Sequence, residues 1–233
     1  MSGKVLIVMP TYLRSHVFKR AIESALAQDY EDWHLALVIN GLKRHPEQTE
    51  KYLKEYPGIP NDKVTLVLIQ ERGIGQALNA GLGKSWPFKW EYWMNLEDDD
   101  TIDPTYLSKM VDALESHTNC GVVNCLQRQK PKEQQSNGGP ITWEILNANW
   151  INWPQCLWRK SVYDEVGPIA KDVGPAVDWD WHIRCMYAGV KYYHLPQTLM
   201  THYWHNTNYC THVDGRPIIA KKIARGDYKK EKE

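Results

Sequence analysis

The chain has 233 residues, of which 42% are hydrophobic and 24% are charged. That length and apolar content are enough for one large domain with a complete core. The 28 basic and 28 acidic residues give a formal net charge of zero, so no broad basic field would attract nucleic acid or an anionic membrane surface.

The five cysteines are odd in number and show no CxxC spacing, which disfavours a disulfide framework and a structural zinc site. The N-terminus lacks the pattern of a signal peptide, and no apolar stretch is long enough to span a bilayer. Together these features predict a soluble protein of the reducing cytoplasm.

Apolar runs alternate with amphipathic segments through the first half of the chain. The apolar runs predict strands at residues 4–9, 35–39, 64–69 and 92–96. The amphipathic segments predict helices at residues 16–28, 46–56 and 74–84. Such alternation is typical of a parallel sheet with helices on its faces, and Ser15 is the expected cap of the first helix.

A helix, a strand and a long loop are predicted next. Residues 103–116 have the spacing of a helix with one buried face, and Asp103 and Pro104 are typical of an N-cap and a first helical position. A further strand is expected at residues 121–126. Residues 128–139 are polar and without periodicity, which predicts an exposed loop that could act as a lid.

One domain is expected over residues 1–216, because the chain has no internal repeat and no low-complexity linker. Residues 178–188 predict the last helix of this domain, which ends at Gly189. Residues 217–233 are rich in lysine and predict a flexible basic tail.

The most informative stretch is an acidic run after the apolar residues 92–96. It contains Glu97, Asp98, Asp99 and Asp100 in succession. Carboxylates about 5 Å apart repel by roughly 3 kcal/mol at an effective dielectric constant of about 20, so the run favours a bound cation. Mg²⁺ and Mn²⁺ prefer such oxygen ligands. A solvated acidic turn is the alternative, but open α/β sheets bind ligands at the carboxyl ends of their strands.

A second acidic group lies at the start of the last predicted helix, where Asp178 and Asp180 flank a tryptophan. Capping of the helix N-terminus is one interpretation of Asp178. The other is a general base that takes the proton of an attacking hydroxyl group, which contributes a factor of about 10² to 10⁴ to a reaction rate.

Aromatic residues are biased toward rings with a polar edge, since eleven tryptophans and thirteen tyrosines stand against two phenylalanines. Such rings can stack on sugars and hydrogen-bond to hydroxyl groups, but they also pack in cores. The rings of residues 150–154 are therefore candidates for contacts to a sugar and could equally be core, and residues 128–139 are a candidate for such contacts as an exposed polar loop.

Several sequence motifs follow one another along the chain. They lie at residues 5–14, 20–28, 75–82, 96–104 and 178–189. The first contains Pro10, Thr11 and Tyr12 after a strand, and the fourth contains the acidic run. In order and spacing these motifs resemble glycosyltransferase family 2, the inverting enzymes of the GT-A fold.

The resemblance implies an α/β fold of the GT-A type, with a mainly parallel central sheet flanked by helices. A nucleotide-binding, Rossmann-like half would occupy residues 1–103, and an acceptor-binding half would occupy residues 104–216. The implied contacts to a nucleoside-diphosphate sugar are Pro10, Thr11, Tyr12, Arg14, Asn40, Gly75, Asn79 and Asp98. Two positions depart from the family: Leu78 stands where arginine is usual, and Asn40 stands where an acidic residue usually contacts the base. The identity of the base therefore stays open.

The resemblance also implies a Mn²⁺ or Mg²⁺ cofactor. Asp99 would be its principal ligand, together with Asp100 and His205. Alignment to the family motif makes Glu97 and Asp99 the DxD pair, whereas the literal sequence gives Asp98 and Asp100, and both registers stay open. Other candidate imidazole ligands are His194, His202 and His212.

The implied activity is metal-dependent, inverting transfer of a sugar from a nucleoside-diphosphate sugar to a hydroxyl group, with a UDP-sugar favoured as donor and a glycan as acceptor. Asp178 would be its general base. The alternative is a module of the same fold that binds a nucleotide or a sugar without catalysis. Such a module would have no need of the general base that Asp178 would supply.

Two other enzyme classes fit less well. A Mg²⁺-dependent phosphohydrolase would need a DxDxT motif, whereas Thr101 follows Asp100 directly. A nucleotidyltransferase would need a glycine-rich loop with arginine after the first strand, and the segment between Pro10 and Arg14 contains no glycine.

Overall fold

The computed structural model describes residues 3–131, 135–136, 139–149, 151–205 and 214–228. Its strands are β1 (Val5–Thr11), β2 (Trp33–Ile39), β3 (Val64–Leu68), β4 (Tyr92–Asn95), β5 (Thr101–Ile102), β6 (Val122–Lys130), β7 (Gln135–Ser136), β8 (Cys156–Arg159) and β9 (Tyr192–Tyr203). Its α-helices are α1 (Phe18–Leu26), α2 (Gln48–Glu55), α3 (Ile74–Gly83), α4 (Tyr106–Ser116), α5 (Lys160–Val166), α6 (Val177–Tyr187) and α7 (Arg216–Arg225). Short 3₁₀ turns lie at Trp143–Leu146, Trp153–Gln155 and Gly174–Ala176.

The strands form one sheet in the order β3-β2-β1-β4-β8-β6-β9-β5, and β7 pairs with β6. Strands β3, β2, β1 and β4 are all parallel. Beyond β4 the sheet is mixed, because β8 is antiparallel to both of its neighbours and β9 is parallel to β6 but antiparallel to β5. The predicted α/β fold with a mainly parallel sheet is confirmed.

Hydrophobic side chains pack on both faces of the sheet. Every residue of β1 and β2 is buried, which explains why these strands are continuous apolar runs rather than alternating ones. Side chains of α1, α2 and α4 belong to the hydrophobic cluster on one face. Those of α3, α5 and α6 belong to the cluster on the other face.

Most of the buried indole rings lie in the second cluster. Four of its tryptophans are at most 3% exposed: Trp93, Trp153, Trp158 and Trp181. The rings of Trp93 and Trp158 stack with centroids 5.7 Å apart. Trp153 of the segment 150–154 is therefore packed in the core, and Trp150 lies outside the described residues.

Helix α4 begins later than the sequence predicts. Its first residue is Tyr106 and its N-cap is Thr105, so the predicted cap Asp103 and the predicted first position Pro104 are wrong. The backbone N–H of Asp103 donates to the Leu199 carbonyl at 2.8 Å. This bond continues the pairing of β5 with β9 through residue 103 and delays the helix.

Helix α1 also begins later than predicted. Its N-cap is Val17 and its first residue is Phe18, so Ser15 is not its cap. The carbonyl of Arg14 accepts the backbone N–H groups of both residues, at 3.0 and 3.4 Å. A turn closed by Arg14 therefore precedes the helix.

Strand β6 extends beyond the predicted strand at residues 121–126. It pairs with β9 through Lys130, and the backbone near its end also pairs with β7. Pairing satisfies backbone N–H and C=O groups whatever the side chains are, so the polar composition concealed this strand. The segment predicted as a loop at 128–139 thus begins as a hairpin, and residues 132–134 and 137–138 lie outside the described ones.

The last described segment is a helix where a flexible tail is predicted at residues 217–233. In α7, Ile219 is fully buried. The Lys222 Nζ lies 2.6 Å from Asp180 Oδ1, and the Tyr228 hydroxyl donates to the same oxygen at 2.9 Å. The buried carboxylate of Asp180 in α6 therefore holds this basic segment against that helix.

The described cysteines, Cys120, Cys125, Cys156 and Cys185, are buried free thiols, and Cys210 lies outside the described residues. Across the described ranges, every helix is too short or too polar to cross a membrane.

Candidate active site

The acidic run lies at the carboxyl end of β4, beside the end of β1. These strands are parallel neighbours and end at the same edge of the sheet, where open α/β sheets bind ligands. Asp98, Asp99 and Asp100 have only 3%, 4% and 1% of their surface exposed. Thr11, the last residue of β1, donates from its hydroxyl to Asp98 Oδ2 at 2.6 Å. The run is therefore a buried carboxylate cluster and not a solvated turn.

Arg14 neutralises part of this negative charge. Its Nη1 lies 2.6 Å from Asp99 Oδ2 and 3.1 Å from Asp98 Oδ1. A tight turn after β1, in which Leu13 has a φ of 57°, brings the arginine back to the cluster. Tyr52 of α2 supports the turn, because its hydroxyl accepts the backbone N–H of Arg14 at 2.9 Å.

The carboxyl groups of Glu97, Asp98 and Asp100 hold protons more tightly than exposed ones. Burial, together with the charge of Asp99, raises the pKa of Asp98 to about 7. Burial also raises the pKa of Glu97 and of Asp100, and repulsion by the other carboxylates adds to the rise at Glu97. A cation would oppose these shifts by stabilising the ionised forms. The electrostatics of the cluster therefore suit the binding of a cation.

Two histidines near the end of β9 face the acidic run, because β9 pairs with β5 directly after the run. The His205 Nε2 lies 2.9 Å from Asp99 Oδ2. The His202 Nδ1 lies 3.0 Å from Asp100 Oδ1. The structure thus pairs two predicted ligands, Asp99 and His205, with each other and pairs the third, Asp100, with His202.

The other candidate imidazoles do not reach the cluster or cannot be described. His194 pairs with Asn124 through its Nδ1 at 3.0 Å, and His212 lies outside the described residues. Within the described ranges, no three or more His, Cys, Asp or Glu side chains are arranged as a metal site, and Arg14 lies against Asp98 and Asp99 instead. Carboxylate oxygens and imidazole nitrogens are nevertheless ligands that Mg²⁺ and Mn²⁺ accept, so the donor chemistry fits the implied ion.

A cavity of about 670 Å³ opens beside the cluster. Seven predicted nucleotide-sugar contacts line it: Pro10, Thr11, Tyr12, Arg14, Asn40, Gly75 and Asp98. Further lining residues include Arg72, Gln76, Lys171, Gly174 and Val177. A volume of about 300 to 1,000 Å³ is typical of small-molecule sites. The three cations Arg14, Arg72 and Lys171 make this cavity suitable for an anionic ligand.

Asn40 lines the cavity, but its side-chain amide hydrogen-bonds to the backbone around the cavity. Its Nδ2 donates to the Thr11 carbonyl at 2.9 Å, and its Oδ1 accepts the Gly73 N–H at 3.2 Å. Only 4% of its surface is exposed. The observed role of Asn40 is therefore to join the end of β1 to the turn before α3.

Asn79, the eighth predicted contact, does not line the cavity. Its Nδ2 donates to the Ile169 carbonyl at 2.8 Å, and its Oδ1 accepts the Ile169 N–H at 2.8 Å. Gly75 lets the residue after Ile169 come close, because a Cβ at position 75 would lie 2.0 Å from the Ala170 carbonyl oxygen. Both residues of this motif thus hold the segment between α5 and α6 against α3.

A smaller cavity of about 130 Å³ adjoins the larger one. The residues that line both are Arg14, Ile74, Glu97 and Val177. Those that line only the smaller one include Asp99, Asp100, Trp153, Asp178 and His202. The predicted base Asp178 and two of the three predicted metal ligands, Asp99 and Asp100, therefore face one common space.

Asp178 lies in the first turn of α6. Its Oδ1 accepts the Trp179 N–H at 2.7 Å, and its Oδ2 accepts the Asn149 Nδ2–H at 2.9 Å. Burial raises the pKa of Asp178 to about 6, and the two hydrogen bonds oppose the rise. The carboxylate thus accepts a hydrogen bond from the backbone of its own helix and also lines the smaller cavity. A carboxylate with this pKa is ionised at neutral pH yet is basic enough to accept a proton.

Asp180, two residues later, has a different environment. It is fully buried and pairs with Arg184 of the same helix at 2.9 Å as well as with Lys222 of α7. These contacts make Asp180 a structural residue of the α6–α7 contact.

Two residues of the site, Arg20 and Tyr52, are not among the predicted site residues. The Arg20 Nε donates to the Asp99 carbonyl at 3.1 Å, and its guanidinium lies 3.8 Å from the centre of the Tyr203 ring. The Tyr52 hydroxyl shares a hydrogen bond of 2.5 Å with the Thr11 hydroxyl. Arg20 is the first residue of the motif at residues 20–28, but that motif implies no contact with the acidic run, and Tyr52 lies in no motif.

Comparison with known sequences identifies relatives that are described as glycosyltransferases. A sequence model described as glycosyl transferase family 2 matches residues 6–155. An uncharacterized glycosyltransferase of Rickettsia typhi is 30% identical over 183 residues, which cover 70% of this chain and 54% of that protein. One of Nostoc sp. is 27% identical over 180 residues, which cover 71% of this chain and 54% of that protein. The chain thus spans about half the length of these relatives.

Solved structures share the fold. The mannosyltransferase PcManGT from Pyrobaculum calidifontis, in complex with GDP-Man and Mn²⁺, superposes with a TM-score of 0.74 at 17% identity over 100% of this chain and 66% of that one. TarS 1–349 of S. aureus, in complex with UDP-GlcNAc, gives a TM-score of 0.69 at 14% identity over 94% of this chain and 66% of that one. These likenesses confirm a fold of the GT-A type. Because the family model covers more than half of the chain, the chain belongs to glycosyl transferase family 2.

Proposed function

We propose that the protein is a metal-dependent, inverting glycosyltransferase. It would move a sugar from a nucleoside-diphosphate sugar to a hydroxyl group of a glycan acceptor. The observation that supports this proposal is the small cavity that Asp178 and Asp99 both line, because the proposed base and the proposed cation ligand would then act in the same space. A single displacement needs a proton acceptor and a site for an anionic leaving group in such proximity.

The larger cavity is the proposed donor site. Its volume of about 670 Å³ suits a nucleotide sugar, and Arg14, Arg72 and Lys171 supply positive charge for a diphosphate. TarS and PcManGT, which share the fold, bind UDP-GlcNAc and GDP-Man. We favour a UDP-sugar as donor, with a GDP-sugar as the alternative.

The proposed ligands of Mn²⁺ or Mg²⁺ are Asp99, Asp100 and His205. Support comes from their carboxylate and imidazole chemistry and from the Mn²⁺ in the PcManGT complex. A bound divalent ion would neutralise the charge that develops on the leaving diphosphate. Arg14 faces the same carboxylates and both cavities, so its guanidinium would lie near the same phosphate oxygens.

Asp178 is the proposed general base. The acceptor hydroxyl would lie in the smaller cavity and give its proton to Asp178 as its oxygen attacks the anomeric carbon. The bond between that carbon and the diphosphate oxygen breaks on the opposite side, and the pair of electrons leaves with the diphosphate. One displacement of this kind inverts the anomeric configuration.

A transfer assay tests the base directly. We expect Asp178→Asn to lower the transfer rate about 10²-fold or more and to leave donor binding unchanged, since an amide cannot accept the proton. Asp112→Asn, at an exposed position of α4, is the matched control. Near-normal transfer by Asp178→Asn with the donor bound would contradict this assignment.

Thermal unfolding tests the donor and the metal. UDP, GDP, dTDP and CDP are each added with and without Mn²⁺ to the wild type and to Asp99→Asn. A rise in Tm for one nucleotide that needs both Mn²⁺ and Asp99 would support the donor site and identify its base. No rise with any nucleotide would contradict a nucleotide-sugar donor, and binding without transfer would support a non-catalytic module.

A further inference from the structure

The segment at residues 167–176 connects α5 to α6 and forms one wall of the larger cavity. Lys171 and Gly174 of this segment line the cavity, and α6 with Asp178 follows directly. We call it the 167–176 loop. No motif in the sequence marks any of its residues as a ligand contact.

Several contacts fix the backbone of the 167–176 loop. Asn79 binds both the N–H and the carbonyl of Ile169, at 2.8 Å each. The Arg184 Nη1 donates to the Pro168 carbonyl at 2.9 Å. Ile169 and Val173 are buried in the hydrophobic cluster under the loop. Both sides of Lys171 are therefore anchored.

Gly75 brings the loop against the start of α3. A Cβ on Gly75 would lie 2.0 Å from the Ala170 carbonyl oxygen and 3.2 Å from the Lys171 Cα. Only glycine permits this approach of two backbones. The approach places Lys171 on the same cavity wall as Ile74 and Gln76.

Lys171 differs from the other two cations of the cavity. Arg14 is held by Asp98 and Asp99, and the Arg72 guanidinium lies 4.5 Å from the centre of the Tyr12 ring. Lys171 is exposed, and it forms no hydrogen bond or ion pair with another residue in the described part of the chain. It is a charge on a fixed backbone that faces the ligand space.

We propose that Lys171 binds the diphosphate of the donor and that Asn79 is the positioning residue that holds it there. The proposal rests on the proposed function, because it assumes a nucleoside-diphosphate donor in this cavity. An ammonium group forms strong charge-assisted hydrogen bonds with phosphate oxygens. A pre-fixed loop loses little conformational freedom when the ligand binds, so more of this interaction contributes to affinity.

Calorimetric titration tests the role of Lys171. UDP, GDP, uridine and guanosine are titrated into the wild type, Lys171→Met and the control Lys109→Met, whose lysine is exposed on α4. For the diphosphate that binds, we expect Lys171→Met to weaken affinity about tenfold, the effect of one charge-assisted hydrogen bond. Its affinity for the matching nucleoside should not change, and Lys109→Met should match the wild type throughout.

Asn79→Ala and the double variant test the positioning role. We expect Asn79→Ala to weaken diphosphate binding and to have little further effect in a chain that already carries Lys171→Met, because both changes remove one interaction. Independent, additive losses would overturn the positioning role.

The outcomes separate this proposal from the proposed function. Wild-type affinity for the diphosphate in Lys171→Met, or an equal loss for diphosphate and nucleoside, would overturn the role of Lys171 while the donor site stands. Failure of the wild type to bind any of UDP, GDP, dTDP and CDP, with or without Mn²⁺, would overturn the proposed function itself.

Discussion

The Asn149 amide donates a hydrogen bond to Asp178 Oδ2 at 2.9 Å and thereby orients the carboxylate that faces the smaller cavity. This bond favours the ionised form of Asp178 and opposes the effect of burial on its pKa. Asn149 lies in an irregular segment after the 3₁₀ turn at Trp143–Leu146, so a loop outside the sheet adjusts the basicity of the proposed base.

The pH dependence of transfer should report this contact. A base with a pKa of about 6 makes kcat/KM fall as the pH drops through about 6. Asn149→Ala removes a bond to the charged form, which raises the pKa and moves the acidic limb to higher pH by about one pH unit. The profile is measured with saturating Mn²⁺ for both proteins.

The direction of the shift is the decisive result, because a merely structural loss would lower kcat/KM at every pH without moving the limb. Asn147→Ala, two residues earlier in the same segment, is the control and should leave the limb in place. An acidic limb of Asn149→Ala that coincides with the wild type, or moves to lower pH, would contradict the role of Asn149.

Arg20 should support the acidic run through the backbone. Arg20→Met removes the donors to the Asp99 carbonyl and the contact with the Tyr203 ring. We expect the free energy of unfolding to fall by about 1 to 2 kcal/mol, since a part-buried carbonyl loses its partner. The gain in Tm on addition of Mn²⁺ and UDP or GDP should also decrease.

Lys19→Met is the control for Arg20, because Lys19 is its exposed neighbour on α1. Urea unfolding and thermal shifts are measured for both variants. An Arg20→Met protein with wild-type stability and a wild-type response to Mn²⁺ would show that the backbone of Asp99 needs no such support.

The parallel half of the sheet could be predicted because its signals are local. Strands β1 to β4 are short apolar runs, and the helices between them have one apolar face. The acidic run and Asp178 also stand out locally, as clustered carboxylates at the ends of predicted elements. Their burial and their common cavity required the fold.

The remaining features depend on contacts between distant parts of the chain. His202 and His205 reach the acidic run because β9 pairs with β5 about 100 residues earlier in the sequence. Asn79 lies in a motif that implies contacts to the ligand, yet its side-chain amide binds Ile169, 90 residues later in the sequence. Single-sequence periodicity contains no information on such partners, so the sequence does not predict the contact of Asn79 with the 167–176 loop.

Helix α7 should contribute to stability through Asp180. Lys222→Met removes one of the cations that neutralise this fully buried carboxylate and leaves Arg184 and Tyr228 in place. We expect a loss of about 2 kcal/mol in the free energy of unfolding, because breaking a part-buried ion pair leaves charge poorly compensated.

The neighbouring Lys221 is exposed and offers the matched control Lys221→Met. Urea unfolding should give wild-type stability for the control and a lower midpoint for Lys222→Met. Equal midpoints for the two variants would mean that α7 is not held by this ion pair.

A single methyl group should displace the 167–176 loop. In Gly75→Ala the new Cβ would lie 2.0 Å from the Ala170 carbonyl oxygen, and two backbones must move apart to relieve the contact. We expect a loss of about 1 to 3 kcal/mol in unfolding free energy, as in other overpacked sites. Affinity for the bound diphosphate should fall as Lys171 moves with the loop. Gly83→Ala is the control on the same helix, because nothing lies within 4 Å of its Cβ position and alanine favours a helix by about 0.5 to 1 kcal/mol. Urea unfolding and calorimetry of both variants give the answer: if Gly75→Ala is as stable as Gly83→Ala and binds the diphosphate equally well, then the close approach at Gly75 does not position the loop.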